Sequence, residues 1–213
     1  MNCYCVETED KFTFIVENAE KKFIENIEHA WWKLDNDKYT KEYPNNFDDK
    51  EIIKNNFQRL GEEMFQSKGD WKKSLRLFAQ KCLENNIEWY ITGSVSEAIM
   101  GVEITPHDID IITHERDFYK VKGLFLDYMV EPFVDNKGTW LVQYFGRLCI
   151  NGVMFDIAAD KKTNSENHGY GKILWEGYLL SIEQLKTRYE IEKQRNRTER
   201  INKIEEYMEK QKQ

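Results

Sequence analysis

The sequence lacks the features of a protein that sits in or crosses a membrane. Among its 213 residues, no apolar run approaches the ~18 residues that a membrane-spanning helix needs. The opening residues, MNCYCVETEDKF, do not show the basic segment, apolar segment and cleavage site of a signal peptide. We therefore expect a cytoplasmic protein.

An excess of positive charge is also missing. The chain has 31 lysines and arginines against 38 aspartates and glutamates, which gives a formal charge of −7 at pH 7. Wide, sequence-independent binding to nucleic acid needs a basic surface, so extended nucleic-acid binding is not expected. The acidic surface slightly favours a cationic small molecule as a partner.

Cysteine is scarce, and its spacing does not suggest a zinc site. Of the four cysteines, only Cys3 and Cys5 lie close together, and no CxxC pair or Cys/His cluster follows. A metal held by these two residues is an alternative, but free thiols in a reducing cytosol explain the pattern better. Hydrophobic residues make up 40% of the chain, which is enough for a packed core.

Apolar residues at helical spacing predict that the first part of the chain is helical. We expect one or two amphipathic helices over residues 10–34, a polar loop over 34–51 and a second helical stretch over 49–65. Asp70 is then placed to cap a helix over 71–85. The expected core-facing positions of that helix are Leu75, Leu77, Phe78, Cys82 and Leu83.

Short β-rich runs follow. The stretches IEWYIT (87–92) and HDIDIIT (107–113) predict strands, and VSEAIMG between them predicts a short helix closed by Gly101. A further helix is expected over 115–128. Later strands are expected in MVEPFV, TWLVQYFG and RLCINGVMFDIAA, the last containing an Asn151-Gly152 pair typical of a type I′ hairpin turn.

Taken together, the elements predict an α+β fold with a mixed sheet at 87–158 flanked by helices. From about residue 176 the sequence is highly charged and is expected to be helical to its end. We expect an N-terminal helical region over 1–70, a core domain over 71–175 and a C-terminal helical segment over 176–213.

Two aspartates interrupt the apolar strand HDIDIIT. Side chains alternate along a strand, so Asp108 and Asp110 share one face, while Ile109 and Ile111 point into the core. Left alone, the carboxylates would repel, and one would stay protonated near neutral pH. A bound Mg²⁺ removes this conflict because it prefers carboxylate oxygens and is typically shared with substrate phosphates. An ordinary half-exposed strand is the alternative.

Gly93 and Ser94 stand between a predicted strand and a predicted helix. Gly93 lacks a Cβ, so a phosphate can approach the backbone, and Ser94 offers a hydroxyl beside the free amides of a helix N-terminus. Ser94 as a plain N-cap is the alternative, and it is compatible with phosphate binding. The interval to Asp108 suffices for a short helix and a return strand, which would place both sites on one edge.

A third aspartate lies in GVMFDIAAD. Asp156 shares a strand face with Met154 and Ala158, and solvation alone explains poorly an aspartate between Phe155 and Ile157. Three carboxylates can hold two metals that clamp an in-line displacement. The competing candidate is Asp160, which falls at the strand end and is expected to open a loop.

The ordered set of Gly93-Ser94, the DID motif and a later strand aspartate resembles the nucleotidyltransferase superfamily that includes DNA polymerase β. Within it, the chain is similar to small bacterial enzymes such as the aminoglycoside and lincosamide nucleotidyltransferases and the minimal nucleotidyltransferases. The resemblance covers about residues 71–160. It implies a nucleotidyltransferase-type mixed sheet and a Mg²⁺-dependent transfer of a nucleoside monophosphate from an NTP, with ATP expected, to an acceptor hydroxyl.

The resemblance also implies roles for the motif residues. Asp108 and Asp110 would hold two Mg²⁺ ions, and Asp156 would ligate the catalytic ion and could take the acceptor's proton. Gly93 and Ser94 would bind the β- and γ-phosphates of the NTP. Pyrophosphate would be the leaving group.

One departure from the family pattern concerns nucleotide binding. Many relatives carry an arginine a few residues before the paired aspartates, whereas VEITPHDID offers only His107 as a basic group. His107 could contact a phosphate, although a partly exposed histidine at a strand entry is the simpler interpretation. The departure bears on nucleotide affinity and not on the metal site.

The predicted C-terminal helix is rich in lysine and arginine. In relatives, a basic residue on a helix over the cleft commonly helps to hold the triphosphate, and Lys186 is our candidate for this role. A solvated helix face is one alternative. Contact of KQRNRTER with nucleic acid is another, although Glu190, Glu192 and Glu199 dilute the positive patch.

The residues do not identify the acceptor. An aminoglycoside-like small molecule, a protein hydroxyl and a tRNA end all fit the motifs, and Trp31 and Trp32 are expected in the core and not in an acceptor pocket. A second hypothesis is a non-catalytic binding module on the same fold, such as an antitoxin or partner-binding protein. It is motivated by the large N-terminal helical region and the missing arginine.

Overall fold

The structure is a computed structural model that describes residues 1–66, 69–137, 139, 142–159 and 170–212. The described residues form two sheets and seven α-helices. The predicted α+β fold class is therefore confirmed. Asp160 and two residues of the predicted strand TWLVQYFG lie outside the described residues.

The N-terminal part of the chain is a four-stranded antiparallel sheet, so the helices predicted over residues 10–34 are wrong. The strands pair in the order β1-β2-β4-β3. A single short helix, α1, interrupts them. The bounds are β1 Asn2–Glu7, β2 Lys11–Glu17, α1 Ile24–His29, β3 Lys33–Asp35 and β4 Lys38–Pro44.

The error came from the period assigned to the apolar residues. In KFTFIVE, Phe12, Phe14 and Val16 alternate with more exposed residues and are fully buried, which is the period of a strand with one buried face. The loop predicted over 34–51 is likewise wrong where the chain forms a β-hairpin, because the end of β3 and all of β4 lie within it. Its polar side chains lie on a strand whose pattern is largely exposed or half-buried.

The next two helices confirm the prediction. They are α2, Lys50–Gln66, and α3, Trp71–Glu84. Asp70 caps α3, since its side chain accepts hydrogen bonds from the amides of Lys72 and Lys73 at 3.0 and 3.2 Å. Of the expected core positions, Leu75, Phe78 and Cys82 are buried and Leu77 is half-buried, whereas Leu83 is exposed.

A seven-stranded mixed sheet forms the rest of the fold, in the order β10-β11-β5-β6-β9-β8-β7. Parallel pairs join β11 to β5 and β6 to β9, and the other neighbours are antiparallel. The strands are β5 Trp89–Thr92, β6 Asp108–Thr113, β7 Met129–Asp135, β8 Tyr144–Ile150, β9 Val153–Ala159, β10 Tyr170–Trp175 and β11 Tyr178–Glu183. Helices α4, Gly93–Met100, and α5, Glu115–Leu124, lie between its strands in the chain.

The hairpin predicted at Asn151-Gly152 is confirmed. Both residues have positive φ, 51° and 73°, and they join β8 to β9 with Ile150 opposite Val153. This turn geometry matches the right-handed twist of the flanking strands. The hairpin fixes the register of β9, the strand that carries Asp156.

The C-terminal segment is only partly helical, because the prediction of helix from residue 176 misses β11. Helices α6, Leu185–Gln194, and α7, Thr198–Lys210, do follow. The missed signal is a second two-residue turn, in which Glu176 and Gly177 both have positive φ. The boundary predicted at 175 therefore falls inside the β10–β11 hairpin. The division of the chain into three domains stays a prediction.

Aromatic packing joins the N-terminal sheet to helix α2. Trp32 is buried and stacks on Phe57 at 5.3 Å between ring centroids, and Phe14 meets the same ring edge-on at 5.2 Å. The core position expected for Trp32 is confirmed. Trp31, in contrast, has 47% of its surface exposed, so its expected core position is wrong.

The described helices and the four cysteines bear on two further expectations, a membrane span and a metal at CxC. None of the described helices is long and apolar enough to span a membrane. All four cysteines are free thiols, as predicted, and burial raises the pKa of both Cys3 and Cys5 to about 12. A raised pKa disfavours the thiolate that a metal would need, which argues against the alternative of a metal at CxC.

Candidate active site

Strand register brings the three predicted aspartates together. In β6, Asp110 lies opposite Thr92 of β5 on one side and opposite Asp156 of β9 on the other. Asp108 lies two residues earlier on the same face of β6. Each of the three offers a carboxylate oxygen within 4.8 Å of the others. Among the described residues, this is the group of acidic side chains arranged to hold a metal ion.

Burial and mutual repulsion determine the charge of these carboxyls. Burial raises the pKa of Asp110 well above its usual range, and the charges of Asp108 and Asp156 raise it further. Burial alone would also raise the pKa of Asp108, but a hydrogen bond from His29 and that residue's charge hold it below its ordinary value. The pKa values of the pair are therefore shifted in opposite directions, as mutual repulsion predicts. That one carboxyl remains protonated near neutral pH stays a prediction.

Arg147 of β8 binds both carboxylate oxygens of Asp156. Its Nε and one terminal nitrogen donate to the two oxygens of Asp156 at 2.6 and 2.9 Å. Its other terminal nitrogen donates to Glu131 at 2.5 Å and to the Ala30 carbonyl at 3.1 Å. Lys41 binds the second oxygen of Glu131. The fork orients Asp156 and ties it to residues from the N-terminal sheet.

The end of helix α1 brings three successive residues to this region. The His29 ring nitrogen Nε2 lies 3.3 Å from Asp108 Oδ2. The carbonyl of Ala30 accepts hydrogen bonds from Arg147 and, at 3.3 Å, from Lys41. The Trp31 ring lies 5.4 Å from the Arg147 guanidinium carbon. The N-terminal sheet and its helix thus complete the surroundings of the aspartates.

Gly93 is required at its position by its neighbour Asp110. Its φ is +67°, and a Cβ at this position would lie 1.9 Å from Asp110 Oδ2. From the sequence, we expected glycine at this position for a different reason, namely that a phosphate could approach the backbone. Gly93 opens helix α4 directly beside the aspartate cluster.

Ser94 does not cap the helix, so the N-cap alternative is wrong. Thr92 holds the N-cap position, and its hydroxyl instead donates to Glu183. The Ser94 hydroxyl is buried, lines the same cavity as the aspartates, and has no hydrogen-bond partner among the described residues. An unsatisfied buried hydroxyl costs free energy unless a ligand supplies its partner.

A cavity of about 590 Å³ opens over the aspartates. Its volume falls within the ~300–1,000 Å³ range of small-molecule sites. The lining combines the aspartates, Gly93 and Ser94 with arginines of the C-terminal segment. The lining residues are Glu28, His29, Trp31, Gly93, Ser94, Asp108, Asp110, Asp156, Arg188, Arg195, Arg197 and Arg200.

The structure does not place Lys186 in this cavity. Lys186 is exposed on the first turn of α6, whereas Arg188, two residues on, points inward. On a helix, two residues separate side chains by more than half a turn, so both cannot face the cleft. Arg195, Arg197 and Arg200 are the basic groups at the cavity that carry more exposed surface.

Arg188 is surrounded by carboxylates. It donates to Glu97 at 3.0 Å, to Glu183 at 3.2 Å and to Glu192. These partners come from α4, β11 and α6, so the guanidinium joins the C-terminal helices to the sheet and to the helix that Gly93 opens. Arg188 is thus fully engaged by buried acids, whereas Arg197 and Arg200 approach only Glu192, at 3.5 and 3.8 Å, and are more exposed, as is Arg195.

Sequence reasoning missed His29 and Arg147, and among the basic residues of the C-terminal segment it preferred Lys186 to the three arginines that line the cavity with Arg188. His29 was missed because residues 10–34 were assigned to helices and no motif connects them to the aspartates. Arg147 had one usable signal, since an arginine inside the apolar run FGRLCI needs a buried acidic partner. The hairpin prediction places its partner strand nearby, and Asp156 lies opposite it in the register.

The fold is that of the nucleotidyltransferases. The chain superimposes on the solved structure of a Thermotoga maritima protein provisionally assigned as a nucleotidyltransferase, with a TM-score of 0.53 and 20% identity over 66% of this chain and 93% of that one. A nucleotidyltransferase-like antigen of Paracoccidioides brasiliensis aligns with a TM-score of 0.34 and 12% identity over 53% and 60%, which is too low to support any conclusion. No protein-family model matches the sequence, and no curated protein is significantly similar to it.

Proposed function

We propose that the protein is a Mg²⁺-dependent nucleotidyltransferase that moves a nucleoside monophosphate from an NTP, with ATP as the expected donor, to a hydroxyl of a small molecule in the cytoplasm. The observation that carries this proposal is the cluster of Asp108, Asp110 and Asp156, whose carboxylate oxygens lie within 4.8 Å of one another. The cluster lines a cavity of about 590 Å³ that four arginines also line.

The residues fit a divalent metal. All three donors are carboxylates, the ligands that Mg²⁺ prefers, and burial together with the charges of Asp108 and Asp156 raises the pKa of Asp110. Bound to Asp108, Asp110 and Asp156, one or two Mg²⁺ ions would neutralise the carboxylates and polarise the phosphates of the NTP. Asp156 can still act as a ligand, because each of its oxygens retains a lone pair beyond its bond to Arg147.

The phosphate chain of the NTP has two sets of partners. The unsatisfied hydroxyl of Ser94 and the first amides of α4 form a site for phosphate oxygens beside Gly93. Arg195, Arg197 and Arg200 face the cavity from the C-terminal helices, where they can pair with the same chain. We assign to these arginines the role that was predicted for Lys186.

The transfer itself is an in-line displacement. The acceptor oxygen forms a bond to the α-phosphorus, the bond from that phosphorus to the pyrophosphate oxygen breaks, and the acceptor's proton passes to Asp156. Burial raises the pKa of Asp156, although the charge and hydrogen bonds of Arg147 oppose this. Arg147 fixes its orientation, and pyrophosphate leaves towards the arginines.

The replacement Asp110→Asn tests the proposal. Pyrophosphate release from each of the four NTPs, measured with a panel of hydroxyl acceptors, should fall at least about 100-fold, because one metal ligand is lost. Calorimetric titration with Mg²⁺-ATP should show binding to the wild type and much weaker binding to the variant. Asp127→Asn, an exposed aspartate outside the cavity, is the matched control. Unchanged release by Asp110→Asn would overturn the mechanism.

One observation favours a second candidate, a non-catalytic binding module. Arg147 occupies both oxygens of Asp156, so the third carboxylate is partly neutralised without a metal. A degenerate module predicts no metal-dependent binding of ATP. The same titration decides between the two, since the heat of ATP binding with and without Mg²⁺ would then be equal.

A further inference from the structure

Helix α1 ends directly beside two of the three aspartates. His29 is its last residue, and the ring nitrogen Nε2 lies 3.3 Å from Asp108 Oδ2. The carbonyl of the next residue, Ala30, accepts a hydrogen bond at 3.1 Å from Arg147. Arg147 in turn donates to both oxygens of Asp156. Two successive residues thus contact Asp108 directly and Asp156 through a single guanidinium group.

The end of α1 is fixed by its own contacts with the rest of the fold. Ala30 is fully buried. The Asn26 side-chain amide donates to the Phe65 carbonyl of α2 at 2.8 Å, and Lys41 of β4 donates to the Ala30 carbonyl at 3.3 Å. His29 therefore extends from a backbone that packing and hydrogen bonds hold in place, which is what a group that orients a metal ligand needs.

The His29 side chain belongs to the site and not to the hydrophobic core. It is 46% exposed and lines the cavity over the aspartates. Its hydrogen bond goes to Asp108, which is 8% exposed. A replacement at this position therefore changes the surroundings of Asp108 without leaving a void in the core.

The contact leaves Asp108 able to bind a metal. An ionised carboxylate only accepts hydrogen bonds, so His29 Nε2 carries the hydrogen, and this bond uses one of about four lone-pair sites of the carboxylate. Asp108 and Asp110 repel each other in the absence of metal, and a donor at Asp108 holds that carboxylate in place before the ion arrives. Partners of this kind typically change metal affinity ~10–100-fold.

We propose that His29 is a positioning residue of the metal site. Its hydrogen bond holds Asp108 in the orientation that binds the divalent ion, and the Ala30 carbonyl does the same for Asp156 through Arg147. The N-terminal sheet, which is interrupted by α1, is then part of the metal centre and not an independent module. The inference rests on the metal-dependent function proposed above, and it extends that function to a segment outside the nucleotidyltransferase motifs.

Mn²⁺ binding in the absence of nucleotide measures this role. The electron paramagnetic resonance signal of free Mn²⁺ gives the affinity of the wild type and of His29→Phe, which keeps a planar ring and removes the donor. Affinity should fall about tenfold, at the lower end of the ~10–100-fold range, because the contact is long for a hydrogen bond. His29→Gln keeps a donor nitrogen at a similar reach and should stay within about threefold of the wild type.

His114→Phe is the matched control. His114 also contacts a side-chain oxygen, the Tyr90 hydroxyl at 3.1 Å, but it does not line the cavity over the aspartates. This variant should keep its Mn²⁺ affinity whatever it loses in stability. Equal affinity in the wild type and His29→Phe would refute the inference. Tighter binding by His29→Phe would also refute it, since the ring would then only compete with the metal.

The Mg²⁺ requirement of pyrophosphate release gives a second measurement. Because His29 acts through a metal ligand, His29→Phe should need about tenfold more Mg²⁺ for half-maximal release and should approach the wild-type rate at saturating Mg²⁺. A lower maximal rate with an unchanged Mg²⁺ requirement would contradict the positioning role.

Failure of this inference and failure of the proposed function give different results. If the wild type binds Mn²⁺ and releases pyrophosphate, but neither measurement responds to His29→Phe, the transferase proposal stands and His29 has no positioning role. If Mn²⁺ binding depends on His29 but no NTP releases pyrophosphate, the metal site stands and the transferase proposal fails. A wild type that binds no Mn²⁺, with or without ATP, would overturn both.

Discussion

The protein contains two fully buried arginines, and they organise the two sides of the site differently. Arg147 shares its environment with Lys41, so two cations meet the two carboxylates of Glu131 and Asp156. Arg188 alone meets three glutamates. The first centre is balanced in formal charge, and the second carries an excess of negative charge.

The excess at the Arg188 centre has structural consequences. Arg197 and Arg200 approach Glu192 at 3.5 and 3.8 Å, and one oxygen of Glu97 and one of Glu192 lack a hydrogen-bond partner among the described residues. The acidic excess thus draws these two arginines to the mouth of the cavity. Arg147 therefore positions Asp156, a carboxylate of the site. Arg188 acts indirectly, because its partner Glu192 positions Arg197 and Arg200.

We expect the largest loss of stability from Arg188→Met, which removes the buried cation of the more acidic centre. Arg188→Met leaves Glu97, Glu183 and Glu192 without their common donor. Breaking a buried ion pair costs about 3–5 kcal/mol, and with three acids left unpaired we expect a loss at the upper end of that range. Urea unfolding at pH 7 measures it. A loss below about 1 kcal/mol would show that Arg197 and Arg200 suffice to balance the glutamates.

Arg147→Met should cost less, near the lower end of the same ~3–5 kcal/mol. Lys41 and the Tyr43 hydroxyl, which donates at 2.5 Å, still bind one oxygen of Glu131 after the change, and only the other oxygen loses its donor. Asp156 loses both of its donors, so pyrophosphate release should fall as well. Arg147→Lys separates the effects, since it restores a charge without the two-pronged fork. If Arg147→Met proves more destabilising than Arg188→Met, the charge balance of a centre does not determine how much its arginine contributes to stability.

The contrast between the centres also shows what the sequence could and could not predict. Asp108, Asp110 and Asp156 were predictable because each interrupts a strong apolar strand pattern, and the Asn151-Gly152 turn fixes the register of the strand that carries the third. Gly93 and Ser94 were predictable from their place between strand and helix. These signals are local, and each depends on a few neighbouring residues.

The partners of those residues were not predictable, because their contacts span large distances in the chain. His29 and Trp31 reach the site only through a sheet that was not predicted, since β2 was assigned to a helix and β4 to a loop. The Arg188 centre joins residues from α4, β11 and α6, and β11 itself was assigned to a helix. Lys186 shows the limit most directly, since choosing it over Arg188 depends on helix orientation, which the charge run does not encode.

A smaller effect should follow from Glu131→Gln in the balanced centre. Burial alone would raise the pKa of Glu131, but the charges of Arg147 and Lys41 lower it from 4.5 to about 2. The ionised form is therefore the stabilising one. At pH 7 the variant should lose about 1.5–3 kcal/mol, the contribution of hydrogen bonds to a charged group.

The pH dependence of that loss has a definite sign. A carboxyl with a lowered folded-state pKa contributes stability that is fully present above its unfolded pKa and is lost as the pH falls through the folded value. The difference between wild type and Glu131→Gln should therefore shrink between pH 5 and pH 2. Urea unfolding at several pH values measures this. A difference that stays constant with pH would mean that Glu131 is not ionised in the folded protein.

The smallest effect, and the opposite sign, should come from Glu97→Gln in the acidic centre. Burial raises the pKa of Glu97 above 4.5 despite the nearby charge of Arg188. Its contribution is therefore fully present below the unfolded pKa and declines as the pH rises through the folded value. The glutamine side chain of the variant mimics the protonated form, and its oxygen can still accept the hydrogen bond from Arg188. The variant should match the wild type at pH 4 and be more stable by up to about 1 kcal/mol at pH 8. A variant that is less stable at pH 8 would show that the ionised carboxylate is needed there, and that both arginine centres are balanced in the same way.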